Sequence, residues 1–203
     1  MSTMVPTFSS LPLEIRISIY VLAVDYPDLA ISFEKASAKH SNAFKEYHHL
    51  RPKCTMSPDY SGSFITPTIL LLNRQITSEA LPILRKKTLH IPSPPPFPRQ
   101  LCKPLDIIQF VGEITLQRVC KVTLTVDFKT QYARGLNKMI ENLVDVWSQE
   151  NALQLIHIRV INGSMISERE EYRSVIARLQ WLEMMVSVTF EGVVPEYKLL
   201  KKE

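Results

Sequence analysis

Short runs of β-type sequence recur at nearly equal intervals in the C-terminal half of the chain, and helical patterns fill those intervals. The runs begin at Thr88, Val122, Ile156 and Val186, which lie 34, 34 and 30 residues apart. Such an interval leaves room for a crossover helix, and strands joined by crossover helices pair in parallel. The sequence therefore predicts a short β/α array on a mainly parallel sheet of about four strands.

Individual segments of this array carry distinct patterns. Residues 121–128 alternate apolar and polar side chains, which predicts a strand with one buried face. Residues 155–161 are dense enough in apolar side chains to predict a strand buried on both faces. Residues 134–148 and 105–115 place apolar side chains at helical spacing. The layout is similar to a few leucine-rich repeats, although the consensus leucine and asparagine positions of those repeats are absent.

Two amphipathic helices are predicted before the array. The first covers 11–24, and its apolar stripe consists of Leu11, Ile15, Ile19 and Leu22. The second covers 69–84, with a stripe that consists of Ile69, Leu72, Ile76, Ala80 and Ile83. Pro82 is expected to kink or divide the second helix. The first helix is too short to be stable alone, so its stripe must pack on another surface, and the second helix is the expected one.

The segment between these helices has no sustained pattern. Prolines and polar residues punctuate 25–66, which predicts a long loop or insertion with a short helix near 37–50. The predicted organisation is a helical module over 1–87 followed by a β/α region over 88–203, packed into one continuous globular unit. The fold class is α+β or α/β.

Composition limits the classes of protein to consider. The 203 residues are 45% hydrophobic and 22% charged, which is ordinary for a globular protein, and the net charge of +4 is mild for a dedicated nucleic-acid binder. The three cysteines are an odd number at wide spacing, which favours a reducing compartment. No secretory leader and no long apolar run is apparent, so a cytoplasmic or nuclear location is expected.

The sequence contains no recognisable catalytic or cofactor-binding signature. It lacks GxGxxG, Walker-type, GxSxG and HExxH motifs, and it has only five glycines for phosphate-cradling turns. The histidines and the cysteine in the predicted loop, which are His40, His48, His49 and Cys54, fit no common zinc spacing. We therefore expect a protein without enzymatic activity, cofactor or metal.

A local cluster of positive charge follows the second predicted helix. It consists of Arg85, Lys86 and Lys87, with Arg99 and Lys103 beyond a proline-rich segment. Such a cluster can bind phosphate or an acidic partner, but cations at a helix C-terminus also stabilise the helix itself. Together with a basic loop at 45–53, it supports an alternative hypothesis, a nucleic-acid or chromatin-associated binding protein.

Two segments together resemble a known family. LPLEIRISIY at 11–20 and ILLLNRQITSEALPIL at 69–84 are similar to the LPxEIRxxIY and LLxxNRQIxxEALPIL motifs of the F-box-like proteins of filamentous fungi. Ile69 replaces the first leucine of the second motif. The β/α units that follow are also common in that family, so the resemblance covers nearly the whole chain. The insertion at 25–66 departs from the compact F-box, in which the two helices lie close in sequence.

The resemblance implies a non-enzymatic protein–protein interaction module. In an F-box, one apolar face docks on the small adaptor subunit of a cullin ubiquitin ligase. Carried over to this chain, that face would consist of Leu11, Pro12, Ile15, Ile19, Leu71, Leu72 and Ile76. The alternative for the first helix is packing inside the domain, and an exposed apolar patch on it would favour docking.

Overall fold

The computed structural model describes residues 7–47, 67, 70, 72–96, 105–129, 133–162 and 173–192 of the chain. A short 3-10 turn, Phe8–Ser10, precedes the first helix. The helices are α1 Leu13–Ala23, α2 Leu29–Tyr47, α3 Arg74–Lys86, α4 Ile108–Val111, α5 Glu113–Arg118, α6 Ala133–Gln149 and α7 Arg173–Glu183. The strands are β1 Thr88–Ile91, β2 Lys121–Asp127, β3 Leu155–Ile161 and β4 Ser187–Glu191.

The strands form one parallel sheet in the order β1-β2-β3-β4. Its register aligns Leu89 with Val122, Val122 with Ile156, and Ile156 with Val188. The parallel pairing and the four strands confirm the fold class that the spacing of the β-type runs predicts. Because each strand pairs with the next in sequence and such crossovers are right-handed, the connecting helices lie on a common face of the sheet.

The main hydrophobic core lies between that face of the sheet and the helices. Inward side chains of β2 and β3 are fully buried there, and α6 contributes Leu136, Ile140 and Trp147. The Trp147 indole N–H donates a buried hydrogen bond of 3.0 Å to the Leu116 carbonyl, which ties α6 to α5. A buried indole donor normally has such a partner, since leaving it unpaired is costly.

The prediction that β3 is buried on both faces is wrong. Ile156, Ile158 and Val160 are buried, but His157 is half-buried and Arg159 is exposed between them. The physical reason is the single layer of helices, which leaves the second face of the sheet without a cover in the described part of the chain. The high content of apolar residues in β3 therefore predicts too much burial, whereas the alternation of its side chains predicts the single buried face correctly.

Part of the predicted loop at 25–66 is a long helix. α2 covers Leu29–Tyr47, and the Asp28 carboxylate begins it by accepting hydrogen bonds from the N–H groups of Ala30 and Ile31 at 2.8 and 3.4 Å. Leu29, Phe33 and Ala36 are buried in the main core, and Phe33 packs edge-on against the Phe110 ring at 4.8 Å. Residues 48–66 lie outside the described residues.

The second N-terminal helix begins later than the sequence predicts, and Pro82 does not divide it. α3 starts at Arg74, after Asn73 accepts a hydrogen bond of 2.8 Å from the Ile76 N–H, and it continues to Lys86. Pro82 lies inside this helix. Its missing N–H leaves the carbonyl of Ser78 without a helical partner, but both residues are exposed, so water can satisfy that carbonyl.

The helix predicted over 105–115 is two short helices. Gly112 separates α4 from α5 with a φ of 83°, a backbone conformation that favours glycine. As a result, Ile107 and Phe110 are buried, but Ile114 is 66% exposed and does not share their face. Among the described residues, no helix is both long and apolar enough to cross a membrane.

Candidate functional site

The outer surface of α1 is the most apolar exposed surface among the described helices. Leu22 is 87% exposed, and large apolar side chains along the rest of the helix are also exposed, namely Leu13, Ile15, Ile17 and Val21. Single exposed apolar residues are normal in globular proteins, but five on one helix of 11 residues are not. This surface is the candidate functional site, and it is called the α1 surface below.

Helical geometry places these side chains in two rows. Leu13, Ile17 and Val21 recur at four-residue steps along one flank of α1, and Ile15 and Leu22 lie with the half-buried Ile19 on the other flank. Glu14 and Ser18 lie between the rows, and the Ser18 hydroxyl donates to the Glu14 carbonyl at 2.9 Å. The helix is therefore apolar on both sides of a narrow polar strip.

The inner side of α1 is attached to α3 by a small hydrophobic cluster. Tyr20 and Val24 at the end of α1 are fully buried against Ile76, Ala80 and Leu84 of α3. The Phe8 ring packs on Tyr20 with a centroid distance of 5.7 Å. α1 thus buries only a narrow part of its circumference, which leaves the α1 surface free among the described residues.

A polar cluster reinforces this attachment, with Glu79 of α3 at its centre. Arg16 binds the carboxylate in a bidentate way, from Nε to Oε2 at 2.9 Å and from Nη2 to Oε1 at 2.8 Å. The Tyr20 hydroxyl donates to Oε2 at 2.9 Å, and the Gln75 amide donates to Oε1 at 3.0 Å. Arg16 also donates to the Leu11 carbonyl at 2.7 Å, which fixes the segment before α1.

The ionisation of these groups follows from their contacts. Hydrogen bonds from Arg16, and then from Gln75, lower the pKa of Glu79 to about 2. The same hydrogen bond from Arg16 to Glu79 raises the pKa of the guanidinium, and burial raises the pKa of the Tyr20 phenol. The ion pair is therefore fully formed at neutral pH, and its bidentate geometry sets the rotation of α1 about its own axis.

The structure separates the residues that the sequence assigns to a docking face. Ile15 and Pro12 are exposed, Leu11 and Ile19 are half-buried, and Leu72 is 64% exposed just before α3. Ile76 is only 6% exposed within the α1–α3 cluster, so it is not part of the exposed apolar surface. Its burial follows from its place on the inward side of α3. Leu71 lies outside the described residues.

Sequence reasoning missed the largest part of the α1 surface. It assigned Leu22 to an inward stripe and left out Leu13, Ile17 and Val21, whereas Arg16, Tyr20 and Val24 face α3. Periodicity cannot choose the buried side of a helix that is apolar nearly all round. Polar residues could have identified the buried side of α1, because Arg16, Tyr20 and Glu79 are residue types that pair when they are partly buried.

The described members of the basic cluster do not present one positive face. Lys86 is exposed, Arg85 is half-buried and lines a cavity, and Lys87 Nζ lies 3.8 Å from Asp25 Oδ2. Arg99 and Lys103 lie outside the described residues, as does most of the basic loop at 45–53. The alternative hypothesis of nucleic-acid binding stays a prediction.

The described residues form no metal site. Within the described ranges, no group of three or more His, Cys, Asp or Glu side chains is arranged to hold a metal ion. His48, His49 and Cys54 lie outside those ranges. Cys120 is a free, half-buried cysteine.

The face of the sheet opposite the helices carries polar side chains in cross-strand rows. The central row consists of His90, Thr123, His157 and Thr189. The His157 ring contacts Thr189 Oγ1 at 2.9 Å through Nδ1 and Glu191 Oε2 at 3.1 Å through Nε2. Arg159 Nε lies 3.5 Å from the same Glu191 oxygen. Among the described residues, no helix covers this sheet face.

The chain matches no protein-family model, no curated protein and no solved structure. The resemblance of its two N-terminal motifs to fungal F-box-like proteins therefore stays a prediction.

Proposed function

We propose that this chain is a non-enzymatic protein–protein interaction module whose α1 surface docks on a partner protein. The partner that the two N-terminal motifs imply is the small adaptor subunit of a cullin ubiquitin ligase. The sheet face would then present the β/α region to a second protein, which is a substrate for ubiquitination.

One observation carries the proposal, namely the exposure of large apolar side chains on a helix that is firmly held. Leu13, Ile15, Ile17, Val21 and Leu22 are each at least 40% exposed. Exposed apolar surface on an ordered element is typical of interaction sites, and an apolar helix face is a recurrent docking element. The Arg16–Glu79 ion pair supports the proposal because it orders α1 before any partner arrives, which reduces the entropic cost of binding.

The sheet face supports the second part of the proposal through its chemistry. Its side chains are mostly polar or charged, with Arg159 and Glu191 of opposite sign next to each other. A mixed polar face suits a regulated or transient contact better than an obligate one, which would be more apolar. The two surfaces lie on different elements, so two partners can bind together.

The adaptor part is tested by measuring binding of the purified chain to the purified adaptor subunit by isothermal titration calorimetry. The double variant Ile15→Asp/Leu22→Asp places two charges on the α1 surface. Burying one such side chain in an interface contributes about 1.5–3 kcal/mol, so we expect a loss of affinity of at least about a hundredfold. Both positions are exposed, so the thermal unfolding midpoint is expected to stay unchanged.

Met184→Asp is the matched control, because Met184 is 77% exposed but lies just after α7 and not on α1. It is expected to bind the adaptor as the unaltered chain does. Absence of measurable binding by the unaltered chain would refute the adaptor as partner. Binding that survives the double variant would refute the α1 surface as the docking site.

A further inference from the structure

A cavity of about 600 Å³ lies between the two hydrophobic clusters of the molecule. Its walls come from the α1–α3 cluster, through Leu70, Leu81 and Leu84, and from the main core, through Leu89 and Phe110. Its volume is within the range of about 300–1,000 Å³ that is typical of small-molecule sites. The cavity does not belong to the α1 surface, because Ile15 and Leu22 do not line it.

The turn at Gly112 shapes one wall of this cavity. Its positive φ reverses the chain between α4 and α5, so that Ile108 and Val111 before the turn and Ile114 after it all line the same space. Ile114 is 66% exposed, although it lies at a cavity with mostly apolar walls. An apolar ligand that occupied the cavity would cover part of this side chain.

The charged residues of the cavity are two arginines and one glutamate. Arg85 is half-buried, Arg118 and Glu113 are exposed, and none of the three forms an ion pair within the described part of the chain. Their formal charges sum to one positive charge, which suits a monoanion better than a dianion. Arginine also recognises a carboxylate through two parallel N–H donors.

A neutral hydrogen-bond donor accompanies the arginines. Tyr26 lines the cavity and contacts both hydrophobic clusters. Burial raises the pKa of its phenol to about 12, although the nearby Arg85 guanidinium acts in the opposite direction. Tyr26 is therefore a phenol at physiological pH, and its hydroxyl can donate to an anion that Arg85 attracts.

From this geometry we infer that the cavity binds a free monocarboxylic acid with an apolar chain or ring. The apolar body lies between Leu81, Leu84 and Phe110, and the carboxylate pairs with Arg85 and Arg118. Because the ligand contacts both hydrophobic clusters, it stabilises the junction between the N-terminal helices and the β/α region. Binding therefore raises the thermal unfolding midpoint, and above the dissociation constant the rise grows with the logarithm of the ligand concentration.

The experiment titrates the full chain with dansyl-undecanoic acid and follows the dansyl fluorescence. Saturable binding of one probe per chain is expected, and decanoate is expected to displace it below its micelle concentration. Decanol and decylamine, which lack the negative charge, are expected to compete at least about tenfold less well. Decyl phosphate, which carries a second negative charge near Glu113, is also expected to compete less well than decanoate.

Variants identify the site. Arg85→Gln/Arg118→Gln is expected to weaken probe binding by about ten- to a hundredfold, since each removed charge-assisted hydrogen bond is stronger than a neutral one. Ile114→Asp places a negative charge at the cavity and is expected to weaken binding as well. Both changes involve partly or fully exposed side chains, and circular dichroism and thermal unfolding verify that the variants are folded.

Arg74→Gln and Met184→Asp are the matched controls, because both residues are exposed and neither lines the cavity. They are expected to bind the probe as the unaltered chain does. The inference is overturned if the unaltered chain shows no saturable binding, if decanol or decyl phosphate competes as well as decanoate, or if Arg74→Gln weakens binding as much as the double variant. Adaptor binding is a separate measurement, so either proposal can fail without the other.

Discussion

Glu79 is the residue on which the position of α1 depends most directly. Its carboxylate accepts four hydrogen bonds, two from Arg16 and one each from Tyr20 and Gln75, so it joins the inner side of α1 to α3. Removing the carboxylate leaves Arg16 and Tyr20 without their partner at a largely covered position. Removing one partner of such a pair destabilises the folded state by more than the intact pair stabilises it.

The low pKa of Glu79 predicts how stability changes with pH. Its value in the folded chain, about 2, lies below the ordinary value of 4.5. The ionised form therefore stabilises the folded state, fully above about pH 4.5, and this contribution is lost as the pH falls towards 2. We expect Glu79→Gln to lower the thermal unfolding midpoint by several degrees at pH 7, and the difference from the unaltered chain to shrink between pH 4.5 and 2.

Glu183→Gln serves as the control for that pH series. Glu183 is an exposed residue at the end of α7, and its carboxylate accepts no hydrogen bond in the described structure. Its midpoint is expected to follow that of the unaltered chain at every pH. A Glu79→Gln variant whose deficit stayed constant down to pH 2 would show that the effect is steric and does not come from the charge of Glu79.

Substitution of glycine by alanine is expected to have opposite effects on stability at two positions. Gly192 has a φ of 104°, and a Cβ atom there would lie 2.2 Å from the Val160 carbonyl oxygen. Gly135 lies in α6, and among the described residues its added Cβ would meet only Pro94 Cβ, at 3.8 Å, an ordinary contact. We expect Gly192→Ala to destabilise the protein by at least about 1–3 kcal/mol, and Gly135→Ala to stabilise it by about 0.5–1 kcal/mol.

Chemical denaturation of the two alanine variants measures both effects against one reference. The gain at Gly135 comes from helix propensity, because alanine loses less backbone entropy than glycine when a helix forms. The loss at Gly192 comes from backbone strain and from the close approach of β4 to β3. Equal midpoints for the two variants would contradict the contrast in local geometry.

Among the elements, those of the β/α region are the ones that sequence patterns specify best. β1, β2, α6 and the parallel pairing of the strands follow from alternation, helical spacing and the recurrence of the strands. In each of these elements the apolar residues lie on one side, so one pattern reports both the type of structure and its buried face. α6 extends one residue beyond the predicted helix at each end, and β2 begins at the predicted residue and ends one residue earlier.

The N-terminal elements are less predictable, for two physical reasons. α1 is apolar on several sides, so its sequence does not define which side packs on α3, and the ion pair of Arg16 with Glu79 decides it. α2 is mostly polar, and only Leu29, Phe33 and Ala36 form a short apolar series in it. Prolines lie before and after this segment, so its sequence pattern favours a loop. The sequence therefore predicts α1 as a packing helix, but it does not predict which of its side chains are exposed.

For the whole molecule, the unusual feature is a parallel sheet that the described helices cover on one face only. Parallel sheets are commonly covered on both faces. Here the outward positions of the two central strands are mostly polar or half-buried, as Thr123, Thr125, His157 and Arg159 show. The stability of the sheet therefore depends on one core layer, and it should decrease from the centre of the sheet towards any edge with poor burial.

β4 is the edge at which this decrease is expected to be largest. β2 and β3 have neighbours on both sides, and their inward residues are buried. Within the described sheet, β4 pairs only with β3, and none of its five residues is fully buried. Native-state hydrogen exchange should give the slowest amides in β2 and β3, intermediate amides in β1, whose Leu89 and Ile91 are buried, and the fastest strand amides in β4. The reason is that opening β4 exposes little apolar surface, whereas opening β2 disrupts the main core. Exchange in β4 as slow as in β2 would mean that the sheet opens only as a unit, and that its open face does not weaken the edge.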